Sequence, residues 1–157
     1  MPNNDITVRC LMIHINGATL LLPNAVIAEV TSDNDNIEQI TNTQPNWLLG
    51  IINWRNQRVP LLAIEEALSL PIITPTIKKY RIIVLYGLES TQAMPFYAFR
   101  AIDVPRTLSI TETSLTDPDT NVSRGLAFKV KYNDEIILLP NLTYLEKLLK
   151  TFPMFSN

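Results

Sequence analysis

Two stretches of the chain consist of paired apolar runs divided by a turn-forming dipeptide. The first, VRCLMIHINGATLLLP, is divided at Asn16-Gly17, and the second, GLAFKVKYNDEIILLP, at Asn133-Asp134. Asn16 and Gly17 both tolerate the positive φ angles of a type I′ turn, which is a strong short-range signal for a hairpin. We therefore expect a β-hairpin near each end of the chain, and a fold in which antiparallel strands dominate.

The region between these hairpins predicts further short strands. Tyr80–Leu88 is rich in β-branched and aromatic residues, and Pro95–Ile102 is its expected antiparallel partner. The stretch VPRTLSI, which begins at Val104, is expected to form another short strand. Many short strands joined by tight turns are typical of an all-β barrel or sandwich.

Two or three short helices are also predicted. NAVIAEV can form one with Asn24 as its cap, and Glu65 and Glu66 are interpreted as charges at the start of another. The third is TYLEKLLK, in which Thr143 and Glu146 have the spacing of a capping box.

The composition indicates one globular domain. The chain has 157 residues, of which 46% are hydrophobic and 18% charged, so folding can bury roughly 70% of the unfolded surface. We expect a single two-lobed domain over residues 8–152, a flexible segment over 1–7 and a tail over 153–157. Within the domain, the polar segments 31–46 and 115–124 are expected to be the most mobile.

The charge pattern argues against several classes of partner. A net charge of -2 does not favour nucleic-acid binding, and no run approaches the roughly 18 apolar residues of a membrane span. The start of the sequence lacks the pattern of a signal peptide, and Cys10 is the only cysteine. We therefore expect a cytoplasmic protein. We also expect a monomer in isolation, because the charge is modest and the candidate contact sites named below suit other proteins as partners.

The sequence offers little support for an enzyme. Cys10 and His14 lie four residues apart in a predicted strand, so their Cα atoms are separated by roughly 13 Å, too far for a catalytic pair. His14 is the only histidine, and the four glycines form no phosphate-binding loop. DPDTN begins like a calcium loop, but Val122 and Phe128 replace its glycine and glutamate. We expect no catalytic residues, metal or cofactor.

A polar group interrupts the apolar stretch WLLGIINWRNQRVPLLAI, and its position predicts the tip of a third hairpin. Pro60 in the returning strand lacks a backbone donor, which indicates an edge or a bulge. Aromatic residues and arginine are enriched at protein interfaces. The candidate interaction residues at this tip are Asn53, Trp54, Arg55, Asn56 and Arg58.

This stretch resembles the signature of CheW-like domains, which is a glycine, an apolar-x-Asn-apolar-Arg-Gly segment and a Val-Pro strand. Gly50, Asn53 and Arg55 match the signature in register, as do Val59 and Pro60. The similarity extends from about Val8 to Leu149. The form WLLGxxNWRxQxVPLL is similar to the CheW-like proteins of type IV pilus chemosensory systems, such as the ChpC and PilI types. Asn56 departs from the pattern, because a glycine usually follows the arginine.

The resemblance implies two intertwined five-stranded β-barrels that share a hydrophobic core, without catalytic activity. It also implies an adaptor that couples the cytoplasmic tip of a methyl-accepting chemoreceptor to the regulatory domain of a CheA-type histidine kinase. Such a protein is recruited to membrane-bound arrays without entering the membrane. By the same resemblance, Arg55 and Ile27 match positions of partner contact, although a core position in the predicted helix is an equal interpretation of Ile27.

Other functions remain open at this point. The protein could be an accessory or competing adaptor within a pilus-control array, and neither the receptor, the kinase nor the output follows from the sequence. A different class is a small-molecule-binding barrel with a pocket lined by Trp47, Trp54, Tyr97 and Phe99.

Overall fold

A computed structural model describes residues 6–33, 37–40, 44–71, 79–89, 94–115, 126–152 and 155. Within these residues the chain forms nine strands and two α-helices. The strands are β1 (Val8–Ile15), β2 (Ala18–Pro23), β3 (Ile27–Ser32), β4 (Leu48–Trp54), β5 (Gln57–Leu62), β6 (Tyr80–Tyr86), β7 (Phe96–Ile110), β8 (Ala127–Tyr132) and β9 (Glu135–Pro140). The helices are α1 (Ile64–Ala67) and α2 (Leu142–Lys150).

The two hairpins predicted from turn dipeptides are present. β1 pairs with β2, and β8 pairs with β9. At Asn133 and Asp134 φ is 48° and 67°, as a type I′ turn requires. At the first turn only Gly17 has a positive φ, 84°, so the expected type I′ conformation is wrong there. The Asn16 backbone N–H instead donates to a Glu65 carboxylate oxygen at 3.0 Å, a tertiary contact that local turn chemistry does not reveal.

The fifteen residues of β7 belong to two groups of strands. The first half of β7 pairs antiparallel with β6 and in parallel with β5, whereas the second half pairs with β1. The first group is β3-β6-β7-β5-β4, and the second is β7-β1-β2-β9-β8. The stretch from Val104 is therefore no separate strand. The strand continues through Asp103, which has a φ of 60°, because β1 pairs on both sides of this irregularity.

The apolar interior follows this division. One cluster belongs to the first group and includes Ile52, Leu61 and Val84, and another belongs to the second group and includes Met12 and Ile137. The largest cluster combines residues from strands of both groups and from both helices. The all-β class with a shared core is confirmed. The two five-stranded units are present, although neither closes into a barrel through backbone pairing of the described residues.

The segment NAVIAEV is mostly extended. Asn24–Val26 form a single 3-10 turn, and Ile27 is the first residue of β3. The expected helix is therefore wrong, and Ile27 is a half-buried strand residue opposite Leu85. The pairing of β3 with β6 explains the difference, because the β-branched residues Ile27 and Val30 fit a sheet.

The helix near the C-terminal end of the described chain starts differently from the prediction. Its cap is Asn141, whose side chain accepts a bond from the Tyr144 N–H at 3.1 Å. Glu146 cannot serve a capping box, because its fully buried carboxylate accepts the backbone N–H groups of Leu88 and Glu89, each at 2.9 Å. Glu146 thereby attaches α2 to the segment that follows β6.

The segments expected to be mobile lie partly outside the described residues, which omit 34–36, 41–43 and 116–125. Within the first of them, Thr31 and Ser32 belong to β3, and Glu38 forms an isolated bridge with Ile51. The mobility of both segments stays a prediction, as do the domain bounds. None of the helices among the described residues is long and apolar enough to span a membrane.

Gly50 allows the segment around Glu38 to approach β4. Its φ is 149°, and a Cβ there would collide with the Glu38 carbonyl oxygen. We expect Gly50→Ala to lower the free energy of unfolding in urea by roughly 2–3 kcal/mol. Gly17→Ala is the control, because the exposed Gly17 has a positive φ and should lose only about 1–2 kcal/mol. An equal loss in both variants would argue against the collision.

Tyr97 predicts a specific alkaline sensitivity. Its hydroxyl is buried without a partner among the described residues, and burial, with a smaller effect of the Glu146 charge, raises its pKa well above the ordinary value of about 10. The folded state therefore favours the neutral phenol. Above pH 10 the unfolded chain ionises first, so the free energy of unfolding falls as the pH rises. We expect Tyr97→Phe to match the wild type within about 1 kcal/mol at pH 7.

Urea titrations at pH 8 and pH 11 test this expectation. The wild type should lose more stability over that range than Tyr97→Phe does. Tyr86→Phe is the control, because Tyr86 is 44% exposed and should behave as the wild type at both pH values. Equal alkaline losses in the wild type and Tyr97→Phe would contradict the assignment to Tyr97.

Candidate functional site

The predicted third hairpin is present, and its turn consists of Arg55 and Asn56. β4 pairs with β5 up to Trp54 and Gln57, and φ is 49° at Arg55 and 63° at Asn56. Both angles are those of a type I′ turn. Asn accepts this left-handed conformation readily, whereas for most other residues it costs roughly 1–2 kcal/mol. Arg55 therefore occupies a position that local turn chemistry does not favour.

Trp54 packs into the protein instead of offering an exposed ring. Only 7% of Trp54 is exposed, and its ring meets Phe96 edge-to-face with centroids 4.7 Å apart. The alternation along β4 places Ile52 and Trp54 inward and Asn53 outward. Trp54, a candidate interaction residue, therefore offers a partner little exposed apolar area.

Glu29 in β3 connects the tip to the first group of strands. Its Oε1 accepts from Trp54 Nε1 at 3.1 Å and from Arg55 Nη2 at 2.7 Å. The Arg55 guanidinium carbon also lies 4.7 Å from the centre of the Trp54 ring, at cation–π distance. The Arg55 side chain is 66% exposed and that of Glu29 is 34% exposed. The arginine is thus held in place by two contacts while most of it faces solvent.

The remaining predicted site residues occupy different surroundings. Arg58 pairs across the strands with Asn53, both exposed, and forms an ion pair with Glu38 at 2.8 Å. Because both members of this pair are exposed, it contributes roughly 0–1 kcal/mol. Ile27 lies two residues before Glu29 and packs against the shared core. Of the candidate residues, Arg55 and Asn56 are the two that form the turn of the hairpin.

Three residues of the site, Glu29, Phe96 and Tyr86, could not be predicted from the sequence. Glu29 lies 26 residues from Arg55, and no spacing pattern joins a strand glutamate to a distant turn. Phe96 supports Trp54, and the Tyr86 ring lies 5.7 Å from Phe96. Since Tyr86 is 44% exposed, these aromatic residues run from the first group's interior to the surface.

The edge position predicted for Pro60 is confirmed. β5 pairs with β7 only at Leu61 and Leu62, so Gln57–Pro60 form hydrogen bonds with β4 alone among the described strands. A small cleft of about 40 Å³ lies beside this edge, between Gln57–Pro60 and Met94–Phe96.

The small-molecule pocket considered from the sequence is not formed by its four expected residues. Tyr97 and Phe99 are fully buried in the shared core, against which Trp47 packs, whereas Trp54 belongs to the first group's interior. Among the residues that the structure describes, no three His, Cys, Asp or Glu side chains are grouped to hold a metal ion. Burial raises the pKa of the Cys10 thiol, as for a packed side chain.

Comparison with known proteins defines the family. A model of the CheW-like domain matches residues 9–149, and the chain therefore belongs to the CheW-like domain family. Among solved structures, it is similar to the crystal structure of the scaffolding protein TtCheW from Thermoanaerobacter tengcongensis. The TM-score is 0.69 at 18% identity, over 89% of this chain and 88% of that one. A search of curated proteins finds no match.

The turn geometry predicts that Asn56→Gly, which restores the residue usual in the family signature, leaves the fold intact. Glycine adopts a φ of 63° without a steric penalty, so we expect the free energy of unfolding to change by less than about 0.5 kcal/mol. Asn56→Val should lose roughly 1–2 kcal/mol, because a β-branched residue disfavours this conformation. Urea denaturation measures both, and a large loss in Asn56→Gly would mean that the Asn56 side chain has a structural role.

Proposed function

We propose that this chain is a non-catalytic adaptor of a bacterial chemosensory array. In this role it couples methyl-accepting chemoreceptors to a CheA-type histidine kinase. Membership of the CheW-like family supports the proposal, as does the similarity of its fold to a scaffolding protein. The chain works on the cytoplasmic side of the membrane, as a monomer recruited to the array.

The observation that carries the proposal is the conformation of Arg55. An arginine in a left-handed turn position is locally unfavourable. Such conformations persist where the surrounding structure holds them, and they are concentrated at functional sites. Among the described residues, its guanidinium donates only to Glu29, which leaves most of its five N–H groups free. Charge-assisted hydrogen bonds from these groups to a partner are worth roughly 1.5–3 kcal/mol each.

The surroundings of Arg55 suit recognition by a rigid partner surface. The buried Trp54 and the half-buried Glu29 fix the guanidinium before binding, so that less side-chain entropy is lost on association. Asn53, Asn56 and Arg58 lie exposed around it. We assign this tip, together with Ile27 on β3, to contact with the kinase regulatory domain or the receptor tip.

We further propose that the array to which this adaptor belongs controls type IV pili. It rests on the form WLLGxxNWRxQxVPLL, from Trp47 to Leu62.

Asn56 in place of the usual glycine adopts a φ of 63°, so this departure from the family signature does not prevent the turn from forming.

Arg55→Asn tests the interface directly. The variant loses the ion pair with Glu29 and the cation–π contact with Trp54, each worth roughly 0–1 kcal/mol at this exposed position. Asparagine suits the left-handed turn and offsets part of that loss, so stability should change by less than about 1 kcal/mol. Binding to the regulatory domain of a CheA-type kinase, or to a receptor cytoplasmic fragment, should weaken at least about tenfold, which corresponds to roughly 1.4 kcal/mol. Isothermal titration calorimetry with partners from the same organism measures both affinities.

Arg58→Asn is the matched control, because Arg58 is an exposed, ion-paired arginine beside the same turn. It should weaken binding less than Arg55→Asn does. Arg55→Glu is less informative, since the new carboxylate would face Glu29 and add repulsion within the protein. Unchanged binding of Arg55→Asn to both partners would refute the assignment of the tip. Binding of the wild type to the kinase fragment without any binding to receptors would indicate an accessory adaptor.

A further inference from the structure

The turn between β1 and β2 contains the only asparagine of the chain that is followed by glycine, Asn16-Gly17. In such a pair the glycine nitrogen can attack the side-chain amide carbon of the asparagine and close a succinimide ring, because glycine has no Cβ to obstruct the approach. A folded protein permits this reaction where the attacking nitrogen is accessible and the backbone around it can rotate. The turn meets both conditions.

The attacking nitrogen is accessible because no hydrogen bond of the hairpin uses it. The ladder between β1 and β2 ends at the pair Ile15 and Ala18, so the N–H groups of the two turn residues take no part in it. The Asn16 N–H donates to Glu65 Oε2 at 3.0 Å. The Gly17 N–H has no acceptor among the described residues, and Gly17 is exposed. A base in solution can therefore remove the proton of this nitrogen.

The backbone of the turn can rotate because its second residue is glycine. Gly17 has a φ of 84°, and glycine adopts negative φ about as readily as positive φ. The turn at Asn133-Asp134 differs in this respect, since both of its residues carry side chains and have positive φ. In that turn the Cβ of Asp134 also obstructs the approach of the backbone nitrogen to the asparagine.

We propose that Asn16-Gly17 is a site of spontaneous modification, at which asparagine converts to aspartate and isoaspartate. The Gly17 nitrogen forms a bond to Asn16 Cγ, the Cγ–Nδ2 bond breaks, and ammonia leaves with the proton that the nitrogen gives up. Water then opens the ring. Cleavage of the new N–Cγ bond gives aspartate, and cleavage of the original peptide bond gives isoaspartate. This site is independent of the proposed adaptor function.

Either product brings a new carboxylate close to Glu65. In both products the charge lies on the residue whose backbone N–H donates to Glu65 Oε2, so two negative charges repel each other at short range. Isoaspartate also lengthens the backbone by one atom, which no longer suits the two-residue turn between Ile15 and Ala18. Glu65 lies in α1, directly after β5 of the first group, whereas Asn16 joins two strands of the second group. The modification therefore weakens a contact between the two halves of the molecule.

Peptide mapping by mass spectrometry tests the reaction on the folded full chain incubated at pH 8. The peptide that contains Asn16 should gain one dalton, and part of it should resist an aspartate-specific protease, as isoaspartate does. The peptide that contains Asn133 is the internal control and should convert several-fold more slowly. Asn16→Gln should stay unmodified over the same time, because its longer side chain would have to close a larger ring. The rate at Asn16 should be of the same order of magnitude in the folded chain as in urea.

A double-mutant cycle tests the consequence for the fold. Asn16→Asp carries the charge of the product without a change of backbone, and it should lower the midpoint of urea unfolding at pH 7. The decrease should be smaller in the presence of Glu65→Gln, whose amide oxygen still accepts the backbone N–H but is uncharged. Glu66→Gln is the matched control, because Glu66 instead accepts from the Asn46 side chain. Most of the decrease should remain in its presence.

Three outcomes would overturn the proposal. Conversion of Asn16 in urea without conversion in the folded chain would mean that the turn protects the pair. Equal rates at Asn16 and Asn133 would mean that Gly17 does not determine the site. An equal decrease of the midpoint for Asn16→Asp with and without Glu65→Gln would show that the new carboxylate does not act on Glu65.

Discussion

The architecture depends on one long strand that both halves of the molecule share. β7 pairs with β5 and β6 through its first half and with β1 through its second half. Residues along the first half enter two apolar clusters, because Ala98 faces the first group's interior while Tyr97 and Phe99 face the shared core. The aromatic support of the tip also depends on this strand, which carries Phe96.

The tip illustrates how a fold can hold an unfavourable local conformation. Two-residue turns with positive φ suit Asn and Gly, and the turn at Asn133-Asp134 follows that rule. Arg55 does not follow it, and a cation–π contact with Trp54 and an ion pair with Glu29 offset part of its cost. Strain held in place by surrounding packing is typical of functional positions.

The sequence predicts features that depend on neighbouring residues and misses those that depend on distant ones. The hairpin turns and the edge position of Pro60 follow from local backbone chemistry. The continuity of β7 does not, since Pro105 suggests a break and only pairing with β1 carries the strand across it. The role of Glu29 likewise could not be predicted, because it exists only after β3 and the tip have come together in the fold.

The buried Glu146 carboxylate also has a consequence for the order in which the fold is completed during synthesis. It accepts the N–H groups of Leu88 and Glu89, which precede it by 58 and 57 residues. At the usual rate of about 5–20 residues per second, roughly 3 to 12 s separate their translation. Until α2 leaves the ribosome, those two amides stay hydrated and the shared core lacks Leu145 and Leu149. The segment that follows β6 therefore reaches its final surroundings only after α2 has emerged.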